Sequence, residues 1–168
     1  ELDSAMQSRM DATRQRVEIG HGILAWAHAQ ETSGKLPREQ AQQLAREAIS
    51  QLRYDKQEYF WINDMQPRVV MHPTRPELNG KDVSDLKGPN GLALFKAFTN
   101  TVRQQGKGFV NYQWPKPGSS APVDKISYVL GFEPWGWVIG TGIYVDEVHN
   151  DFMHQLRIAG MGVLFTLL

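Results

Sequence analysis

At 168 residues, with 18 Lys plus Arg against 18 Asp plus Glu, the chain has the size of one ordinary domain and no net charge to draw in nucleic acid or an acidic partner. It contains no cysteine, which excludes a disulfide framework, thiolate metal sites and cysteine nucleophiles, and suits a periplasm and a cytosol equally. It opens at Glu1 with no methionine and no signal-like apolar run, which reads as an excised piece of a longer protein.

The first third predicts two helices, and residues 1–54 form an N-terminal helical region. "ELDSAMQSRMDATRQRVEIGHGILAWAHAQET" has no proline and sets Met10, Val17 and Leu24 seven apart, a narrow apolar stripe on a charged helix. Such a stripe can dock on the chain's own sheet or pair with a second copy in a parallel homodimer, and the pattern does not choose between them. Gly34 and Pro37 punctuate, and "PREQAQQLAREAISQL" places Ala41, Leu44, Ala45, Ala48, Ile49 and Leu52 at amphipathic-helix spacing.

Residues 55–146 change character. Strands are predicted at 58–63, 67–72, 108–114, 125–132 and 136–144, rich in aromatic and β-branched residues. Asn63 to Pro67 make the first hairpin turn, "PKPGSSAP" a second loop and "FEPWGW" the last turn, while a helix between the second and third strands ends at Gly106. The order predicts one α+β domain with helices packed on one face of an antiparallel sheet. Residues 147–168 predict a helix whose last part, "RIAGMGVLFTLL", is apolar after Arg157. Eleven residues fall short of the roughly 20 that cross a bilayer, so the run is expected to be the start of a truncated transmembrane segment.

No catalytic constellation assembles. His21 and His28, seven apart, and His149 and His154, five apart, lack the spacing of a metal-binding helix pair. The short "GKG" and "GTG" are not phosphate loops, GxSxG is absent, and Asp82 and Asp85 have no evident partner. Neither an enzyme nor a cofactor is expected; a hydrolase using His72 with an acid such as Asp82 is the competing reading, and a structural adhesion or oligomerisation module is the third.

A small-molecule pocket is the better expectation. On alternating strands Tyr59, Trp61 and Asn63 share a face, as do Val110, Tyr112 and Trp114, and as do Gly140, Gly142 and Tyr144. Glycines opposite large rings leave room for a cavity, and His72, Lys116, Lys125 and Arg53 adjoin the same strands. Cations and hydroxyls around apolar walls suit a carboxylate.

The motifs "LRYDKQEYFWINDMQPRVVMHPTRPELNGKDVSDLKGPNG", "GKGFVNYQWPKPG" and "KISYVLGFEPWGWVIGTGIYVDE", in this order over residues 50–150, resemble the single Cache (sCache) domain of bacterial transmembrane receptors, chiefly methyl-accepting chemotaxis proteins and some histidine kinases. The resemblance implies a long N-terminal helix followed by a PAS-like sheet, an inner-membrane receptor with this domain in the periplasm, and a small organic acid ligand such as acetate, propionate, pyruvate, lactate or malate. It also implies a cytoplasmic signalling domain in the same chain. Carried onto this chain, the implied ligand-binding residues are Tyr59, Trp61, His72, Tyr112, Trp114, Lys116, Lys125 and Tyr128, with Arg53 and Tyr144 added. Tyr112, Lys116 and His72 are expected to matter most. Lys125 and Tyr128 cannot both face the pocket on a regular strand, and Thr74 and Arg75 are the positions expected to tune the ligand.

Overall fold

The computed structural model describes residues 1–167. Helix α1 spans Leu2–Thr32 and α2 spans Arg38–Gln51, with Pro37 as its N-cap. Strand β1 (Trp61–Asp64) turns through Met65–Pro67 into β2 (Val69–Met71). Helix α3 (Leu94–Gln105) stops at Gly106, whose φ of 78° lies in the left-handed region that caps helices. Strands β3 (Lys107–Pro115), β4 (Pro122–Phe132) and β5 (Trp137–Tyr144) follow, then α4 (Val145–Leu167), which starts two residues before the predicted boundary.

The five strands form one antiparallel sheet in the order β2-β1-β5-β4-β3. The chain thus has the predicted α+β architecture, a long helix followed by a PAS-like sheet with flanking helices. The expectation of helices on one face is corrected: α1 and α2 cover one face of the sheet and α3 the other. Every residue of β5, the central strand, is buried, as a strand covered on both faces must be.

Two cores result. Val17, Leu24, Ala45 and Ile49 pack on Phe60, Ile62, Tyr128 and Ile139. On the other face Leu94, Phe95 and Phe98 pack on Trp61, Tyr112, Trp114 and Val129. Val17 and Leu24 are fully buried against the chain's own sheet, each worth roughly 1.5–3 kcal/mol of burial. Val17 and Leu24 of the stripe are therefore used internally, while Met10 is half-buried and Ile19 and Trp26 stay exposed on α1.

The loop after β2 folds back along it. Val69 N donates to Lys81 O and Gly80 N to Val69 O, and Arg68 bridges to Asp82, so the sheet edge is covered. The predicted glycine cavity is also corrected. A Cβ at Gly140 would come 2.5 Å from two ring atoms of Trp61, and one at Gly142 would meet Ser127 Oγ. The room those glycines leave is occupied by the indole and the hydroxyl. In α4 the apolar residues Ile158, Met161, Val163, Leu164 and Phe165 are exposed, and Leu168, the end of the predicted membrane run, lies outside the described residues. Among the described residues no helix is long and apolar enough to cross a membrane.

Candidate functional site

The pleat of β4 aims Lys125 and Ser127 at the α3 side and Tyr128 at the α1 side, so alternation alone decides which of them meets the aromatic face. Lys125 is 1 % exposed, with its ammonium enclosed by rings: 4.5 Å from the centroid of Tyr59, 5.0 Å from Tyr144, 5.6 Å from Trp61 and 6.0 Å from Tyr112. Its Nζ donates to Tyr59 Oη at 3.2 Å. No carboxylate among the described residues lies within ion-pair distance of it. An ammonium has three donors, and the protein supplies one neutral acceptor.

Three of the four surrounding rings are fixed from behind. Tyr112 and Ser127 share a hydroxyl hydrogen bond of 2.8 Å, Tyr144 OH donates to Pro115 O at 3.0 Å, and Trp61 Nε1–H donates to Asn63 Oδ1 at 2.9 Å. His72 ends the short β2 edge and stacks at 5.0 Å from Tyr59 and 5.4 Å from Trp114. Its backbone N–H is held by Asn79 Oδ1 of the LNG loop at 2.8 Å. The Arg75 backbone N–H donates to His72 Nδ1 at 3.1 Å, which assigns the ring proton to Nε2 as the remaining donor. The Arg75 guanidinium lies 5.4 Å over the Trp114 ring.

The electrostatics follow from burial around one cation. Burial, reinforced by the charges of Lys125 and Arg75, drops His72 to about 3, so its ring is neutral. Burial pushes the Tyr112 phenol up to about 12 against the pull of Lys125, and raises Tyr144 likewise. For Lys125 burial pushes downward, but the facing phenols of Tyr112, Tyr59 and Tyr144 oppose it, and the net displacement is upward, so the amine stays protonated. The result is a basin of one buried ammonium, neutral donors and ring faces, which is chemistry for holding an anion with a small apolar part. A cavity of about 370 Å3 borders it at Tyr112 and Lys125, with Asn90, Asn111, Gln113 and Ile126 among its other walls; Tyr59, His72, Trp114 and Tyr144 do not line it.

Seven of the ten predicted residues gather here: Tyr59, Trp61, His72, Tyr112, Trp114, Lys125 and Tyr144. Three do not. Tyr128 lies on the opposite face, against Phe109 and the α1 core. Arg53 is exposed and donates to the carbonyls of Ser50 and Leu52. Lys116 sits at the rim, 5.7 Å over Tyr144, and is committed to Asp146 (2.8 Å) and Glu147 (3.3 Å) at the start of α4. Ser127 and Asn63, which hold Tyr112 and Trp61 in place, were not singled out as ligand residues; their positions two residues from Lys125 and Trp61 on the same strand faces are the signal that points to them. Elsewhere, His21 meets Gly131 O at 3.1 Å and His28 packs edge-on against Phe132 and Trp135. Asp82, the proposed hydrolytic partner, is exposed and bound to Ser84, and the described residues hold no group of His, Asp and Glu arranged for a metal.

Comparison with known proteins agrees with this architecture. The family described as single Cache domain 2 matches residues 5–157. The chain is 47 % identical over 163 residues to the methyl-accepting chemotaxis protein McpP of Pseudomonas putida, covering 96 % of this chain and 30 % of that protein. It is 33 % identical over 110 residues to the sensor histidine kinase MctS of Rhizobium johnstonii, covering 66 % of this chain and 24 % of the relative. The chain thus spans less than a third of the length of these relatives. Among solved structures, a periplasmic sensor domain of a chemotaxis protein superposes with a TM-score of 0.82 at 49 % identity, covering 83 % of this chain and 97 % of that one. A Cache chemosensory domain described for carboxylic acid recognition also gives 0.82, at 45 % identity over 85 % of this chain and 97 % of that one. The buried-lysine sheet with its long leading helix belongs to the single Cache domain 2 family of sensor domains.

Proposed function

We propose that this chain is the periplasmic sensor domain of an inner-membrane chemoreceptor, and that it binds a short carboxylate at Lys125. Acetate, propionate, pyruvate, lactate and malate are the candidates. The observation that carries the reading is the Lys125 ammonium, fully buried with one neutral acceptor from the protein. A buried charge left short of partners costs several kcal/mol, and a ligand carboxylate would offset that cost. His72 Nε2–H and the hydroxyls of Tyr112 and Tyr59 would complete the carboxylate's bonds, and Trp61, Trp114 and Tyr144 would limit the acyl tail. Similarity to a domain described for carboxylic acid recognition and to a chemotaxis receptor supports the same assignment.

Output would leave through the C-terminal end of β5. Tyr144 is bonded to Pro115, and the next residue begins α4, whose first turn is held by Lys116 through Asp146 and Glu147. A ligand that binds one arrangement of this corner better than another shifts α4, and only that difference in affinity can drive the shift. The same sensor in front of a histidine kinase is the second reading, favoured by the similarity to MctS.

Thermal unfolding against C2 to C4 mono- and dicarboxylates, with amino acids as controls, tests the assignment. A ligand at 100 times its Kd stabilises by about 2.7 kcal/mol, which for a domain of this size raises Tm by roughly 5–10 °C. A selective shift with one acid is the expected result. A flat panel, in folded protein free of co-purified acid, would overturn the reading.

A further inference from the structure

Beneath the aromatic basin, on the α1 side of the sheet, one acid is buried without an answer. Glu58 is 5 % exposed and its Oε2 has no hydrogen-bond partner. It lines a cavity of about 630 Å3 together with Arg9 of α1, Asp55 and Lys56 of the preceding turn, and Glu147 and Asp151 of α4. The turn is tightly bent: Asp55 and Lys56 both have positive φ, at 45° and 76°, and Tyr54 and Glu58 bridge across it.

The nearby cations are drawn to other groups, and Arg16 Nη1 is itself buried without a hydrogen-bond partner. Arg9 binds Asp151 at 3.0 Å and lies 3.9 Å from Asp55, Arg16 lies 3.7 Å from Asp55 and stacks 4.3 Å over Tyr54, and Lys116 takes Glu147. Lys56 is exposed at the mouth. Asp55, Glu147 and Asp151 all face Glu58 as further negative charge. Burial pushes the Glu58 carboxyl up to about 7. The strongest opposing influence is Lys125 on β4, ahead of the repulsion from Glu147 and Asp55 and the weaker pull of Arg9. Glu58 and Lys125 are also joined through the chain, since Glu58 precedes Tyr59, the acceptor of the Lys125 ammonium.

We propose that Glu58 is a proton-linked control on the carboxylate site, such that an anion bound at Lys125 draws a proton onto Glu58 and affinity rises as pH falls. This rests on the carboxylate reading of Lys125. The sign follows from linkage. An anion at Lys125 cancels the positive charge that keeps Glu58 ionised, so Glu58 holds its proton more tightly in the bound state, and reciprocity makes the protonated form bind the anion better. The candidate ligands, with carboxyl groups near the ordinary range of about 4, stay ionised above about pH 6. Neither His72 at about 3 nor Tyr112 at about 12 titrates between pH 6 and 8.5.

Isothermal titration of the domain with acetate, propionate, pyruvate, lactate and malate at about pH 6 and about pH 8.5 tests it, with a repeat between those values in two buffers of different ionisation enthalpy. For the acid that binds, a further rise of half to one pKa unit at Glu58 predicts a Kd about threefold to eightfold weaker at the higher pH. The binding heat should differ between the buffers, reporting proton uptake. Glu58→Gln should abolish both effects. The wild-type buffer dependence stands even if the variant fails to fold. A binding acid with equal Kd at both pH values and no buffer-dependent heat overturns this inference alone, as does a pH dependence that survives in folded Glu58→Gln. No binding by any of the five acids at either pH overturns the carboxylate reading and this inference with it.

Discussion

Replacing Lys125 by Met separates a binding lysine from a structural one, because the two roles predict opposite balances. The substitution keeps the length of the side chain and removes the charge. On the unfavourable side, the fold loses the hydrogen bond to Tyr59 and cation–π contact with four rings at 4.5–6.0 Å. A hydrogen bond to a charged group contributes about 1.5–3 kcal/mol and a desolvated cation–π contact about 2 kcal/mol. On the other side, the fold no longer keeps an ammonium away from water, which costs several kcal/mol, and apolar replacement of buried charge is often neutral or stabilising by about 1–4 kcal/mol. The terms nearly offset or favour Met, so Tm without ligand should hold or rise by a few degrees. Binding should suffer severely: losing one partner of a buried charge pair costs about 2–5 kcal/mol, or roughly 30-fold to several thousandfold in Kd. Thermal unfolding with and without the binding acid, and calorimetry on both proteins, read the two effects. A Tm lowered by more than about 8 °C, or a Kd within threefold of wild type, would refute the reasoning.

Other substitutions probe the surroundings. Tyr128→Ala removes a ring from the α1 core and should cost about 3–5 kcal/mol in stability while leaving the ligand-induced Tm shift unchanged; loss of the shift in folded protein would return Tyr128 to the site. Gly140→Ala places a methyl 2.5 Å from the Trp61 ring and should destabilise by about 1–3 kcal/mol in urea unfolding; an unaltered midpoint would show that the indole can move. His72 is neutral in the fold to about 3 but takes a proton near 6.5 when unfolded, so its contribution is full above pH 6.5 and is lost as pH falls toward 3. Glu58, raised from 4.5 to about 7, acts with the opposite sign between those values, contributing below pH 4.5 and losing that contribution as pH rises through 7. The two offset between about pH 4.5 and 6.5, so His72→Gln should flatten the loss of stability below pH 4.5; an unchanged acid limb would assign that loss to other carboxylates.

The order and type of the elements were legible because their signals are local. Proline-free apolar spacing marks α1 and α2, β-branched and aromatic runs mark the strands, and Gly106 stops α3. Strand alternation also sorted Tyr59 and Trp61 from Phe60 and Ile62 onto the faces they occupy. What local signals do not carry is which helix lies over which face. A stripe of Met10, Val17 and Leu24 is equally suited to a partner helix and to a sheet, and only the packed structure places Val17 and Leu24 in one core with Phe60 and Ile139.

The same ambiguity explains the uneven reading of the site. Tyr128 and Lys125 lie three apart on one strand, so one had to face away, and the side taken by α1 decides that it is the tyrosine. Lys116 and Arg53 satisfy the idea of a nearby cation equally well in sequence, yet Lys116 is drawn off by two acids thirty and thirty-one residues later, and Arg53 turns back onto the end of its own helix. The glycines of β5 predict vacancy, but a residue without a side chain equally permits a neighbour to approach, and Trp61 does so. Lys125 stands apart because no carboxylate among the described residues pairs with its buried ammonium. A core selected for stability alone would place an apolar residue there, as at Val129 and Val138 in the core on the α3 side of the sheet. A cation with no carboxylate beside it at the centre of the fold, ringed by phenols of which Tyr112 and Tyr144 are fixed from behind, is expected where binding as well as folding sets the requirement.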